Sequence, residues 1–395
     1  MNERSKLVPF GAASRRPDPA RVAEFAETAR RLQQERATSE DLVSSALRDT
    51  PREACPQLIE RSELHTSGAL ERLGQEIDTR LDTDPRDALL ISELATSIAD
   101  ALAPDSYPSI MLAQMRAHAW RDRGQALSYL GRYDEAIHAL DRAEGQLLQF
   151  GTLGHDRAIV LFCRATLLQH VRRFDEAHAV LDECRHVFRE YGDTQLYVKC
   201  TLATGNLLVR TGDYRGAQEM LAPLITQESM IGSQARMGLG WCAVHLGAAA
   251  EAIEYFDEAA RGCRRLGREL EAVRAVYGAG AAMLRLQRFT EAITTLRSTR
   301  EIFLAHGLVE EGGLSGLGIV EAQLVLGQAT AARMLAATLV REFTAAQLNR
   351  RAVAALAYLN DAIAASSATP EIVRNVHAYI YALRTDPTRD FVCVN

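Results

Sequence analysis

Lysine is nearly missing from this 395-residue chain: Lys6 and Lys199 are the only two, and every other basic side chain is arginine. That is the compositional habit of a GC-rich bacterial genome and carries no functional weight. Aromatic residues make up only 6%. No uninterrupted apolar run approaches the roughly 18 residues of a membrane-spanning helix, which argues against a membrane partner. The start, MNERSKLVPFGAASRRPDP, is basic, but its apolar run is broken by Pro9 and Gly11 and followed by Arg15 and Arg16. A secretory leader has a different layout, so a cytoplasmic location is expected. The seven cysteines are odd in number and none belongs to a C-x-x-C pair. In predicted helices they are best read as small buried apolar residues, and a reducing compartment fits. Phosphate neutralisation wants a basic surface, and the formal net charge of −6 gives no reason to expect nucleic acid as a direct partner, local basic patches aside.

What is present is repetition. YLGRYDEAIHALDRAE, Tyr129 to Glu144, returns as HVRRFDEAHAVLDECR at His170–Arg185 and RLQRFTEAITTLRSTR at Arg285–Arg300. A small residue anchors each unit: Ala136, Ala177, Ala217, Ala252, Ala292 and, more weakly, Ala332, at intervals of 41, 40, 35, 40 and 40 residues. Twelve positions earlier stand Gly124, Ala165, Gly205, Gly240 and Gly280, with Val320 the exception. Three positions before the anchor come Tyr133, Phe174, Tyr214 and Phe289; four positions after it come Leu140, Leu181, Leu221, Phe256 and Leu296. Gly131, Gly212, Gly247 and Gly327 fall between the two halves.

Each feature has a physical cause. Two antiparallel helices approach closely only where small side chains meet, which sets Gly124 opposite Ala136. A turn glycine ends the first helix in a left-handed conformation at little steric cost. The aromatic fills the mouth of the hairpin, and apolar residues at helical spacing seal one unit on the next. One hairpin leaves a face bare, so the units must stack.

The flanks are helical too. Asp18-Pro19 reads as an N-cap and first-turn proline for a helix to about Glu35. TSEDLVSSALRD reads as a short second helix, SELHTSGALERLGQEIDTRLD as a third and DPRDALLISELATSIADALA as a fourth. RRAVAALAYLNDAIAAS and TPEIVRNVHAYIYALRTD read as a closing pair, followed by an extended tail, PTRDFVCVN. The expected organisation is a disordered start at 1–16, a helical block at 17–104, a repeat array of about six units at 105–345, capping helices at 346–386 and a tail at 387–395.

Catalytic signatures are missing. His170, His178 and His186 recur every eight residues, two helical turns or about 12 Å apart, too far to share a metal ion. GAGAAM at Gly278–Met283 is glycine-rich but lies inside a first helix, where small residues serve packing. Cys184 and His186 are two positions apart and diverge on a helix. No enzyme, metal or cofactor is expected.

By AWRDRGQALSYLGRYDEAIHALDRA, with Trp120, Gly124, Leu127, Gly131, Tyr133, Ala136, Leu140 and Ala143 in register, the segment from about Ala113 to Phe343 resembles the tetratricopeptide repeat family. The 40-residue period exceeds the roughly 34 usual there, because the second helices run on, and is similar to that of bacterial regulators. The resemblance implies an all-α fold: a right-handed superhelical solenoid of antiparallel helix pairs behind an N-terminal helical block. It also implies a concave groove lined by defined first-helix positions. On this chain these give Arg121 and Gln125, with His118; then Phe162 and His170, with Cys163; then Lys199, Asn206 and Arg210. Trp241 and His245 follow, then Arg274, Tyr277 and Arg285, and finally Leu317 and Glu321. Asn206 matches an asparagine of the family's chaperone-tail clamps, but Leu202 stands where their lysine would be. Basic and aromatic side chains alternate along this strip while acids are scarce. It suits a protein or peptide segment carrying carboxylates and apolar anchors. The expected role is a non-catalytic interaction scaffold, adaptor or inhibitor in a bacterial signalling, transcriptional-control or defence system. The alternative is a peptide-sensing receptor acting through its N-terminal helices.

Overall fold

Small residues at helix crossings and left-handed glycines at turns divide this chain into helix pairs, and the computed structural model shows them. It describes residues 19–81, 83–383 and 386–392, and among these there is no strand. No described helix is long and apolar enough to cross a membrane. Asp18, the start at 1–16 and Cys393 lie outside the described residues. The chain divides into two compact units between Val160 and Leu161.

The first unit opens with a single helix, α1 (Pro19–Asp49), where the sequence reading placed two. The sequence reading ends the first helix near Glu35 and starts the second at Thr38, a residue type whose hydroxyl competes with helix bonding. Instead the Thr38 hydroxyl donates back to the Gln34 carbonyl at 3.0 Å within the helix. Ser39, Val43 and Ala46 are buried, so tertiary packing carries the helix onward. Two 3-10 turns follow, Arg52–Glu60 and Ser62–Leu64. Helix α2 (Ser67–Arg80) starts five residues later than the sequence reading placed it, capped by Thr66, whose hydroxyl accepts from Ala69 N at 3.1 Å. Asp84 caps α3 (Pro85–Ala101) in the same way, with proline in its first turn, as expected. Leu73, Ile77, Ile91, Leu94 and Ile98 form the core. The first repeat is α4 (Ser109–Tyr129) with α5 (Tyr133–Leu147).

Helix α6 (Gly154–His170) contains the division between the units. Beyond it come α7 (Phe174–Glu190), α8 (Thr194–Thr211), α9 (Tyr214–Leu221), α10 (Met230–His245) and α11 (Ala249–Arg265). Then follow α12 (Glu269–Arg285), α13 (Phe289–Ala305), α14 (Val309–Val325), α15 (Ala329–Ala345), α16 (Arg350–Ala364) and α17 (Pro370–Leu383). Every second helix of a repeat begins three residues before its anchor alanine, and all six anchors are fully buried. The long second helices have a reason: Phe188, Phe303 and Phe343, eleven positions past their anchors, are fully buried on the added turns. The 35-residue interval arises because α9 is only eight residues long and gives way to a 3-10 turn, Ala222–Leu224, containing Pro223.

The close approaches differ in detail from the expected Gly124–Ala136 opposition. A Cβ on Gly124 would lie 2.9 Å from Leu140, four positions past the anchor; Ala136 meets it only with its carbonyl oxygen, at 3.3 Å. In the second unit this large residue is clasped from two sides. Leu221 sits between Gly205 and Gly238, Phe256 between Gly240 and Gly278, and Leu296 between Gly280 and Gly318. One glycine of each pair belongs to the same repeat and the other to the next. A single side chain therefore joins three helices, which is the stacking that a lone hairpin lacks.

At the turns, Gly212 has φ 88° and Gly247 φ 85°, and the Ala248 N–H donates to the Ala243 carbonyl at 2.8 Å. In the second and fifth repeats, which lack the glycine, Arg172 (φ 62°) and Gln287 (φ 59°) adopt the same left-handed conformation. A side chain there costs about 1 kcal/mol. Gln287→Gly is expected to stabilise the protein by up to about 1 kcal/mol, less the entropy gained by the unfolded chain, and Gly212→Ala to destabilise it by about 1 kcal/mol. Urea midpoints check the opposite signs.

Candidate functional site

Within the second unit, the first helices α8, α10, α12 and α14 present one residue set after another to a common space. Helix α17 closes that space. It does not simply extend the stack: Val373, Val376, Ile380 and Leu383 join the core cluster of Leu314, Leu317 and Val320 on α14. The opposite face of α17 then lies over the first helices. The result is a cavity of about 370 Å³. Its polar lining is Arg210, Arg285, Arg374, Glu321, His245 and His377; its aromatic lining is Tyr214, Trp241, Tyr277 and Tyr381.

The aromatics are held from behind. Trp241 meets Phe256 edge-on at 5.3 Å, and Tyr277 meets Phe303 at 6.5 Å; both phenylalanines are fully buried. Trp241 and Tyr277 stand 6.1 Å apart, and Tyr214 stacks on His245 at 4.4 Å. The Tyr277 hydroxyl and His377 Nε2 share a hydrogen bond of 2.9 Å.

The charges do not balance. Glu321, 8% exposed, pairs with Arg374 at 3.1 Å. Burial pushes its carboxyl above the usual carboxylate range, against the pull of Arg285 and Arg374. Desolvation holds the Arg210 guanidinium below its ordinary value. Its hydrogen-bond contact is the Gln169 side-chain oxygen at 3.5 Å, and the Phe174 ring lies 5.4 Å away. Desolvation and the neighbouring Arg285 lower His245, which favours its neutral form. Three arginines thus face one buried carboxylate. Among the described residues neither Arg210 nor Arg285 has a carboxylate within ion-pair distance. Such a space attracts an anion that also carries apolar surface.

Of the residues read from the sequence, Arg210, Trp241, His245, Tyr277 and Arg285 come together in this cavity, with Glu321. Arg274 lies outside it, 3.9 Å from Glu311. His170 stands at the end of α6, lowered by partial desolvation and by Arg210. Phe162 meets Phe188 edge-on at 6.5 Å. Lys199 and Asn206 are exposed and line none of the described cavities. Leu317 is fully buried in the core, because its side of α14 meets α15 and α17, and so it is not a groove residue. In the first unit, Gln125 is half-buried. His118 and Arg121 line a separate cavity of about 480 Å³. Three pairs meet at this cavity: Arg121 with Asp122 at 2.6 Å, Arg36 with Glu71 at 2.6 Å and His118 with Asp156 at 3.3 Å. Burial pushes the Asp122 carboxyl up despite Arg121.

Sequence reasoning missed Arg374, His377 and Tyr381. The signal was in α17, whose buried stripe Val373, Val376, Ile380 leaves them on the other face. The direction in which that stripe packs was not legible. Burial pushes the Cys242 thiol up to about 11 and raises Cys55 and Cys263, the reverse of an activated nucleophile. His178 and His186 each face their own carboxylate, Asp182 at 3.3 Å and Glu190 at 3.2 Å. Among the described residues no group of three His, Cys, Asp or Glu could hold a metal ion.

Residues 202–265 match the family model described as "Tetratricopeptide repeat". No curated protein sequence matches the chain. Among solved structures, the chain is similar to a Signal Transduction ATPase with Numerous Domains (STAND) protein with a tetratricopeptide repeat sensor from Pyrococcus horikoshii. The TM-score is 0.59 at 12% identity, covering 88% of this chain. The chain spans about half of that protein, 53% of its length. It is also similar to the apo form of RapI, with a TM-score of 0.54 at 14% identity, over 87% of this chain and 99% of RapI. These likenesses show the fold, a helical-repeat solenoid, and repeats of this type are generally non-catalytic scaffolds for protein interaction. The hairpins within residues 202–265 are tetratricopeptide repeats by that match, and the other described hairpins share the helical-repeat fold.

Proposed function

We propose that the chain is a non-catalytic adaptor or inhibitor that binds an acidic partner segment on the first-helix face of its second unit, within a bacterial signalling, transcriptional-control or defence system. The observation that supports this is the cavity's charge: three arginines to one carboxylate, beside rigid aromatic walls, in a chain of net charge −6. Arginine pairs carboxylates through a planar fork, and an aromatic held by the core is an anchor of low entropy cost. The action is steric: the bound segment is blocked or presented.

The test is titration calorimetry against a partner captured by pull-down. Arg210→Glu and Arg274→Glu are expected to weaken binding by about 2 kcal/mol, more where the lost pair is desolvated. Arg264→Glu, exposed on the second helix α11, leaves binding near wild type. Rising salt weakens the complex. Full binding by both inner reversals, with loss in Arg264→Glu, would move recognition to the second-helix face.

A second reading, a peptide sensor acting through α1–α3, has one observation in its favour. The repeats of the STAND protein that this chain resembles are described as a sensor. Peptide-dependent change in hydrogen exchange confined to α1–α3 would favour it over the adaptor.

A further inference from the structure

We infer that the cavity under α17 is a composite anchor pocket for one aromatic or large aliphatic side chain of the partner, flanked by a carboxylate that Arg210 and Arg285 receive. This rests on the reading above and narrows it to one place and one occupant.

Four observations converge. The volume, about 370 Å³, lies at the small end of ligand pockets, about 300–1,000 Å³, and suits one or two side chains rather than a length of helix. Its walls are preorganised: Trp241 and Tyr277 are fixed from behind by Phe256 and Phe303, so little order is lost on binding. The positive charge is also sorted by position. Arg374, brought by α17, is in direct contact with Glu321 at 3.1 Å, which also feels Arg285, whereas neither Arg210 nor Arg285 has a carboxylate within ion-pair distance among the described residues. Finally, α17 is tied in place on several sides. Its His377 bonds Tyr277, and its Tyr379 hydroxyl donates to the Arg389 carbonyl at 2.8 Å. Asn375 Nδ2 donates to the Val392 carbonyl at 3.0 Å, and Phe391 packs edge-on against Tyr358 and Tyr379. Helix α17 is therefore a wall of the pocket and not its occupant.

The probe is 8-anilinonaphthalene-1-sulfonate, which joins one anionic group to aromatic rings, titrated into the full chain and followed by fluorescence. One saturable site is expected. Arg285→Glu and Trp241→Ala should each weaken it tenfold or more, Arg285→Gln should weaken it less, and Arg264→Glu should leave it unchanged. Circular dichroism confirms that each variant is folded. 3-Phenylpropionate should displace the probe, and the neutral 3-phenylpropanamide should not. Absence of a saturable site, indifference to Arg285→Glu and Arg285→Gln, or equal displacement by the amide would overturn the pocket. The captured partner separates this from the broader reading. If Arg274→Glu weakens the partner while Arg285→Glu and Trp241→Ala do not, the pocket is wrong and the groove stands. If none of the three matters, both fail.

Discussion

Replacing Phe256 with alanine is expected to destabilise the second unit by about 3–5 kcal/mol. The ring is fully buried and clasped between the backbones of α10 and α12 at Gly240 and Gly278. Deleting it removes transfer free energy and leaves a void whose nearest walls are glycines. These have no side chain with which to refill the space, so relaxation is limited. Phe256→Leu should cost much less, under about 1.5 kcal/mol, because Leu221 and Leu296 hold the same position in neighbouring repeats. Since Phe256 also backs Trp241 at 5.3 Å, the alanine variant should loosen the pocket as well. Urea denaturation measures the loss, and hydrogen exchange should show it centred on α10–α12, as nearest-neighbour coupling in a repeat array requires. A loss below about 1 kcal/mol would mean that the glycine-lined site collapses freely.

The second large effect is electrostatic. Arg300 on α13 is 8% exposed; its Nη2 donates to both carboxylate oxygens of Glu342 on α15, at 2.7 and 2.8 Å, and its Nη1 to the Gly312 carbonyl at 3.1 Å. Glu342→Ala strands this guanidinium with one carbonyl for company. Removing one partner of a buried pair costs about 3–5 kcal/mol. Because the Glu342 side chain is 26% exposed, water can reach part of the site, and the lower end, about 3 kcal/mol, is expected. Replacing both members with apolar residues of similar size, Arg300→Met with Glu342→Leu, should restore most of the loss, since no charge is left unpaired. The double-mutant cycle distinguishes the pair's net worth from the cost of breaking it. If Glu342→Ala unfolds at the wild-type urea midpoint, the pair is ornamental to stability.

These two sites differ in how far the sequence disclosed them. The glycines, anchor alanines and Phe256 form a periodic pattern, and the clasp at Phe256 lies within one repeat and its neighbour. Arg300 and Glu342 are 42 residues apart and follow no periodic rule, so nothing in the text of the chain joins them.

By itself the sequence determined the helix pairs, their turn residues and their register, because a hairpin's packing depends on small and large residues 12 and 16 positions apart. Even its irregularities were local, with Pro223 shortening α9 and Arg172 and Gln287 taking left-handed turns without glycine. Only the tertiary structure decided that α1 runs unbroken through Thr38 and Ser39, where burial outweighs weak propensity. It alone decided that α17 turns back onto α14. Tyr277 with His377 and Glu321 with Arg374 join residues 100 and 53 apart, and together they close the pocket. A repeat fixes which neighbour an internal helix meets, but α17 lies outside the repeat pattern. It goes where its apolar stripe buries most surface, and that depends on the whole stack at once.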